Sequence, residues 1–240
     1  MTVEPGVLTL ACADMDARPL FWTTADGGRD GFEPAAAALV AKLAGHDLRW
    51  AFRRWDGFRD ALEAGEADAI WCGSAITEER QRSFAYSRPY GAFDEGLLVR
   101  ADSPIRSPAD CAGRRIGAIV ASTNMRLVES FPGAVPVAFD GSSDDVFAEM
   151  IEATRSGLVD GFVDDELAFG GLEEAGAFRV AFLVETQNPW GAAVLPRNDG
   201  VRDLIDRGLA AAIGDGSLAA EWTRWFPDRP VPGSIRKSDY

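Results

Sequence analysis

Residues 48–73 read LRWAFRRWDGFRDALEAGEADAIWCG. The first seven residues alternate apolar and polar side chains, the period of a half-buried strand. Asp56 then caps a helix over 55–65 that Gly65 ends. The run ADAIWCG (67–73) is continuously apolar and short, which predicts a buried strand. Upstream, VLTLACA (7–13) has the same buried-strand character, and GFEPAAAALVAKLAG (31–45) is a helix with Pro34 at its first position and Gly45 beyond its end. The order β-α-β-α-β predicts a parallel sheet with helices on both faces.

The alternation restarts downstream. SPADCAG (107–113) is a capped turn, RRIGAIV (114–120) a strand and STNMRLVESF (122–131) a helix. VPVAFD (135–140), the helix SDDVFAEMIEATRSG (143–157), the strand LVDGFV (158–163) and the helix DDELAFGGLEEAG (164–176) complete a second α/β unit. The segments 85–105 and 179–196 have the length and mixed character of extended crossovers between two lobes. Two helices follow, 200–216 and 217–226, and the Pro-rich residues 227–240 read as a loose tail. The expected division is lobe 1 over 1–93 plus 190–240 and lobe 2 over 94–189, with a cleft between them.

The 240 residues carry a formal net charge of −14. Nucleic acid and anionic membranes need clustered Lys and Arg, so neither is an expected partner. Cys12, Cys72 and Cys111 fit no zinc or redox spacing, and His46 is the only histidine. A metal site, a cofactor and Ser-His or Cys-His nucleophile chemistry are therefore not expected. No apolar run reaches the length of a transmembrane helix, and MTVEPGV is not a signal peptide. The expected location is extracytoplasmic if an export segment has been removed and cytoplasmic otherwise.

Ligands of open α/β sheets sit beyond the carboxyl ends of the strands, against helix N-termini. That rule selects Cys12 to Asp16, Cys72 to Thr77, Ala121 to Asn124, and Asp164 to Asp165. Thr77 is placed to cap a helix whose first turn holds Arg80. Free amides and a guanidinium fork together fit a carboxylate; the alternative is that Arg80 pairs with Glu78, Glu79 or another surface acid. Ser122 or Thr123 opens a helix in the second unit, as a ligand donor or as an ordinary cap. Asp164 and Asp165 follow a strand, either to bind an ammonium group or to cap a helix. An arginine in one lobe and an aspartate in the other suit a zwitterion, and free α-amino acids are the obvious class.

At this point the chain resembles the extracytoplasmic solute-binding proteins of ABC transporters, specifically the polar amino-acid group. The marks are GFEPAAAALVAKLAG, WDGFRDALEAGEADAIWCGSAITEERQRSFAYSRPY, LLVRADSPIRSPADCAGRRIGAIVAST, GLVDGFVDD, PWGAAVL and DGSLAAEWTRWF, in that order, between about residues 8 and 226. The resemblance implies a two-lobed type II periplasmic-binding-protein-like fold, each lobe a mixed sheet flanked by helices, with two crossovers forming a hinge. It implies that Arg80 clamps the ligand α-carboxylate and that the Gly73 carbonyl accepts from the α-ammonium. Thr123 with Ser122 donates to the same carboxylate, Asp165 binds the ammonium, and Trp55 lies near the ligand side chain. In the N-terminal turn, Asp14, Asp16 or Phe21 fills a further ligand position. Ala75 stands where the family usually has Ser or Thr, which removes a hydroxyl and leaves the backbone amide. Ala121 stands where Gly is common.

Trp22, Phe93 and Trp190 also fall near the expected cleft, although hinge or core packing is their commoner use. Asp14, Asp16 and Asp94 would favour a cationic ligand. Cys12 and Cys72 end two strands expected to be neighbours, and small buried residues are their commoner role there. The resemblance implies a monomeric, non-catalytic protein that closes around a small solute and is recognised by ABC transporter membrane subunits. The alternatives are a cyclohexadienyl (prephenate or arogenate) dehydratase-like enzyme on the same fold and a ligand-sensing domain. A nicotinamide-dependent enzyme is disfavoured because no GxGxxG follows the first strand.

Overall fold

A computed structural model describes residues 1–237. The chain divides into two compact units: Met1–Asp14, Thr23–Ala92 and Asn188–Tyr240 form the first, and Met15–Trp22 with Phe93–Gln187 form the second. The short segment Met15–Trp22, read from sequence with lobe 1, groups with the second unit.

The first unit is built on β1 (Val7–Cys12), α1 (Phe32–Leu43), β2 (Asp47–Phe52), α2 (Phe58–Glu63) and β3 (Ala69–Ile70). β4 (Ala85–Tyr86) and the return strand β10 (Ala193–Val194) complete a five-stranded sheet ordered β2-β1-β3-β10-β4. β1 lies parallel to both β2 and β3, with Cys12 opposite Phe52 and Ala11 opposite Ile70. β10 runs antiparallel to its neighbours, so the sheet is mixed. Leu8 and Leu10 are fully buried, as are Ala36, Ala37 and Val40 of α1. Helix α6 (Asp199–Asp215) crosses α1 so closely that a Cβ on Gly208 would sit 2.4 Å from the Val40 carbonyl oxygen. Only glycine fits there. Phe32 meets Trp222 of α7 (Ser217–Trp225) edge-on at 5.2 Å and Phe226 at 5.3 Å. Each such buried aromatic contributes roughly 1.5–3 kcal/mol.

The second unit contains β5 (Gly91–Arg100), β6 (Arg115–Ile119), α3 (Thr123–Ser130), β7 (Val135–Phe139), α4 (Val146–Ser156), β8 (Gly161–Asp165) and α5 (Gly170–Glu174). With β9 (Phe178–Trp190) its sheet is ordered β9-β5-β8-β6-β7. β8 is antiparallel to β5 and parallel to β6. Leu97, Val99, Ile116, Val128, Phe131 and Val163 form its core.

Five segments differ from their sequence reading. Asp56 caps no helix: it lies inside a 3₁₀ turn, Trp55–Gly57, that runs directly into α2. Thr77 opens no α-helix: only a 3₁₀ turn, Arg80–Arg82, forms. The chain then folds back at once, with the Ser83 and Phe84 amides on the Arg80 carbonyl. β8 runs on through Asp164 and Asp165 because they face Gly96 and Glu95 on β5. The segment after it splits into a 3₁₀ turn, Glu166–Phe169, and the five-residue α5. Its paired glycines, 170 and 171, are weak helix formers. The C-terminal segment is not loose throughout, for Ile235 is fully buried in a further turn, Gly233–Ile235.

Candidate functional site

The carboxyl ends of β1, β2 and β3 lie side by side in the first unit, and three candidate stretches leave from them. After β1, Asp14 is exposed and accepts a hydrogen bond from the Thr23 hydroxyl. Beyond β2, Trp55 opens a 3₁₀ turn, half-buried, with its ring 5.5 Å from Phe58. After β3, the chain enters the turn Gly73–Thr77.

That turn is held on two sides. Ala75 bridges to Trp190, with the Ile76 amide donating to the Pro189 carbonyl at 2.9 Å and the Gly191 amide to Ser74 at 3.1 Å. Those bonds flank Ala75 and leave its own N–H outside the ladder. Gly73 has φ +57°, the left-handed region that favours glycine. Its N–H donates to Glu33 Oε1 at 3.2 Å.

Arg80 is locked into this turn. Its amide donates to Thr77 Oγ1 at 3.1 Å, and its Nη1 donates to the Ala75 carbonyl at 3.3 Å. Thr77 therefore caps no helix, and its hydroxyl takes the Arg80 amide, one of the amides expected to stay open. Among the described residues Arg80 forms no ion pair, so the pairing with Glu78 or Glu79 is not what the structure adopts. The same arginine lies close enough to Tyr86 to favour its phenolate, although burial dominates and raises the Tyr86 pKa.

In the second unit β6 ends at Ile119, and the chain turns through Ala121 at φ +58° into α3. Ser122 is the N-cap: its Oγ accepts from the Met125 amide at 3.0 Å and donates to the Ile119 carbonyl at 2.6 Å. Its hydroxyl is spent on the turn, and the first two helical amides belong to Thr123 and Asn124. Asn124 Nδ2 donates to Asp165 Oδ1 at 3.3 Å. Sequence reasoning missed this amide, because Asn in a first helical turn is an ordinary residue unless the packing of α3 on β8 is known.

Asp165 ends β8 opposite Glu95, and the Asp165 amide donates to Asp164 Oδ1 at 2.8 Å. Glu166, buried, accepts from the Asp94 amide at 2.8 Å. Burial pushes the Asp164 carboxyl up to about 7, opposed by the Asp165 amide and assisted by Glu95. Asp165 is raised well above the ordinary carboxylate range, first by burial and then by the charge of Asp164, with Asn124 opposing. Adjacent carboxyls in such a place hold a proton near neutrality until a cation replaces it.

The remaining candidates have partners of their own or lie in the core. Trp190 and Phe93 are buried, Trp190 against Phe32, Tyr90 and Trp222. Arg18 lies over the Trp22 ring at 4.9 Å and pairs with Asp16. Gln187 takes Asp94 Oδ1 through both its amide and its side chain, at 3.0 and 2.7 Å. Cys12 and Cys72 are buried and form no disulfide, and Cys72 Sγ accepts from the Ala13 amide. Among the described residues no cluster of three or more His, Cys, Asp or Glu is arranged to hold a metal, and no helix is long and apolar enough to cross a membrane.

The profile of the bacterial extracellular solute-binding proteins, family 3, matches residues 10–228. The glutamine-binding protein of an ABC transporter from Bacillus subtilis (strain 168) is 26% identical over 211 residues, 85% of this chain and 76% of the relative. Arginine-binding protein 1 of an ABC transporter from Escherichia coli (strain K12) is 24% identical over 204 residues, 82% of each. An ancestral arginine-binding protein solved with bound arginine superposes with a TM-score of 0.81 at 25% identity, covering 92% of this chain and 98% of that one. The mixed α/β architecture, with sheets flanked by helices, is that of the type II solute-binding fold.

Proposed function

The chain belongs to the family 3 bacterial extracellular solute-binding proteins, and from that premise we propose that it binds a free amino acid and presents it to an ABC importer. Arg80 takes the α-carboxylate, with the amides of Ala75 and Thr123 as further donors. Asp165, oriented by Asn124, takes the α-ammonium together with the Gly73 carbonyl. Trp55 and Asp14 border the ligand side chain.

The observation that carries this reading is Arg80. The chain has 38 acidic and 24 Lys and Arg residues, yet among the described residues this half-buried guanidinium has no carboxylate partner. Its Nη1 is anchored on the Ala75 carbonyl, and the Thr77 hydroxyl holds the Arg80 backbone beneath it. A guanidinium held in place and left without a counter-ion is complementary to an incoming carboxylate. The proton held by Asp164 and Asp165 gives the second unit the opposite preference, for a cation.

Ligand bound to the folded protein stabilises it by mass action. A thermal-shift screen against the standard amino acids, polyamines, opines and dicarboxylates therefore tests the reading. A rise in Tm with at least one α-amino acid, absent with the matching decarboxylated amine, is the expected result. The reading is non-catalytic, with the protein acting extracytoplasmically, as a monomer, beside transporter membrane subunits. Formation of phenylpyruvate from prephenate by the purified protein would replace it with the dehydratase alternative.

A further inference from the structure

Beneath the Gly73 turn lies a buried acid that the proposed contacts do not use. Glu33, in the first turn of α1, is 1% exposed. One oxygen, Oε1, accepts from the Gly73 amide at 3.2 Å and from the Tyr90 hydroxyl at 2.7 Å. The other, Oε2, is buried with no hydrogen-bond partner among the described residues. Tyr90 is itself fully buried and stacks on Trp71 with ring centroids 4.1 Å apart. Cys12, Cys72 and Arg29 are the other titratable or charged groups around this acid and its tyrosine. Burial raises the carboxyl to about 7, against the Tyr90 and Gly73 hydrogen bonds and the charge of Arg29.

Burying a carboxyl and satisfying only half of it is costly, so the half that is used identifies what the group does. The end of β9 and the residue after it hold residues 74–76 through Pro189, Trp190 and Gly191. Gly73 lies outside that ladder. Its left-handed backbone, which α-carbon substitution would normally exclude, is held by the Glu33 oxygen. We propose that Glu33 is a positioning residue: it reaches from α1 to the Gly73 amide, fixes the left-handed turn, and thereby sets the Gly73 carbonyl for the ligand ammonium. This rests on the amino-acid-binding reading above and adds to it a residue that touches no ligand.

A purely structural role and a positioning role differ in what Tyr90 does. Tyr90→Phe removes one hydrogen bond from the same oxygen and leaves the Gly73 contact in place. Glu33→Ala removes both. Glu33→Gln keeps an acceptor oxygen at the Oε1 position.

The test is calorimetric titration of wild type, Glu33→Ala, Glu33→Gln and Tyr90→Phe with the standard amino acids, glutamine and arginine first, alongside their Tm values. The expected result is a loss of affinity of at least about 30-fold in Glu33→Ala, with Glu33→Gln and Tyr90→Phe within about threefold of wild type. Tyr90→Phe is expected to lose Tm without that loss of affinity. If Glu33→Ala does not fold, Glu33→Asp, which withdraws the carboxyl by one methylene, is read in its place with the same expectation. Affinity in Glu33→Ala equal to wild type overturns this inference alone. So does a fall in Tyr90→Phe affinity in step with its Tm. A wild type that binds none of the standard amino acids overturns the functional reading and this inference with it.

Discussion

Asn124 Nδ2 lies 3.3 Å from Asp165 Oδ1. The bond joins the first turn of α3 to the end of β8, and it is made to the oxygen of an acid that burial and Asp164 both drive toward its neutral form. Asn124 therefore favours the ionised state that an ammonium ligand needs. Asn124→Ala should raise the Asp165 pKa further and weaken amino-acid binding by roughly tenfold at neutral pH, the scale of one hydrogen bond to a charged group. Calorimetry reads the affinity, and the deficit should shrink as the pH is raised.

Binding should release a proton. Asp164 is raised to about 7 and Asp165 lies well above its usual range, so the free pair holds a proton at neutral pH. An ammonium replaces that proton, and affinity rises with pH through this ionisation. Titrations at pH 7 in buffers of different ionisation enthalpy should show net proton release, and Asp164→Asn should reduce it.

Stability of the unliganded protein should move the other way. Glu33 and Asp164 both titrate near 7 in the folded state, above their values of 4.5 and 3.8 elsewhere. Between about pH 4 and 7 the folded chain therefore binds more protons than the unfolded one, and these groups lower stability as pH rises through that window. The Tm of Glu33→Gln should fall less than that of wild type between pH 5 and 7.5.

Ala121 holds φ +58° in the turn before α3. A left-handed alanine costs about 1–2 kcal/mol, and glycine recovers this at an entropic cost of about 0.4–1 kcal/mol. Ala121→Gly should therefore stabilise by about 0.5–1 kcal/mol, a rise of about 2 °C in Tm at this chain length. Differential scanning calorimetry checks it.

Gly208→Ala should do the reverse. The new methyl would meet the Val40 carbonyl at 2.4 Å, and α1 and α6 would have to separate. Overpacking of this kind costs about 1–3 kcal/mol. Chemical denaturation should show that loss.

Much of this architecture is legible in single residues of the sequence. The span 143–157 reads as a helix, and α4 forms within it, capped by Asp145 and ended by Gly157 in the left-handed conformation. The alternation around residues 48–73 finds β2, α2 and β3 in order. What local reading misses is set by partners far along the chain. The Thr77–Arg80 signal yields only one turn, because Ser83 and Phe84 fold back onto the Arg80 carbonyl and Ala85 and Tyr86 pair with β10. The strand character of Asp164 and Asp165 comes from β5, some 70 residues away. Glu33 and Gly73 are 40 positions apart, and Asn124 and Asp165 are 41 apart. Those contacts exist only once the start of α1 meets the turn after β3 and α3 packs beside β8. The residue types at the site were visible; the bonds that orient them were not.

The most direct measurement is a calorimetric comparison of wild type, Arg80→Ala and Asp165→Asn, titrated with arginine and with agmatine, which lacks the carboxylate, and with glutamine in parallel. The account predicts that wild type binds at least one of the two amino acids and binds agmatine weakly if at all. Each substitution should cost at least about 100-fold in affinity, about 2.7 kcal/mol, with Tm within a few degrees of wild type. Arg80→Ala protein that binds the amino acid as tightly as wild type would contradict it.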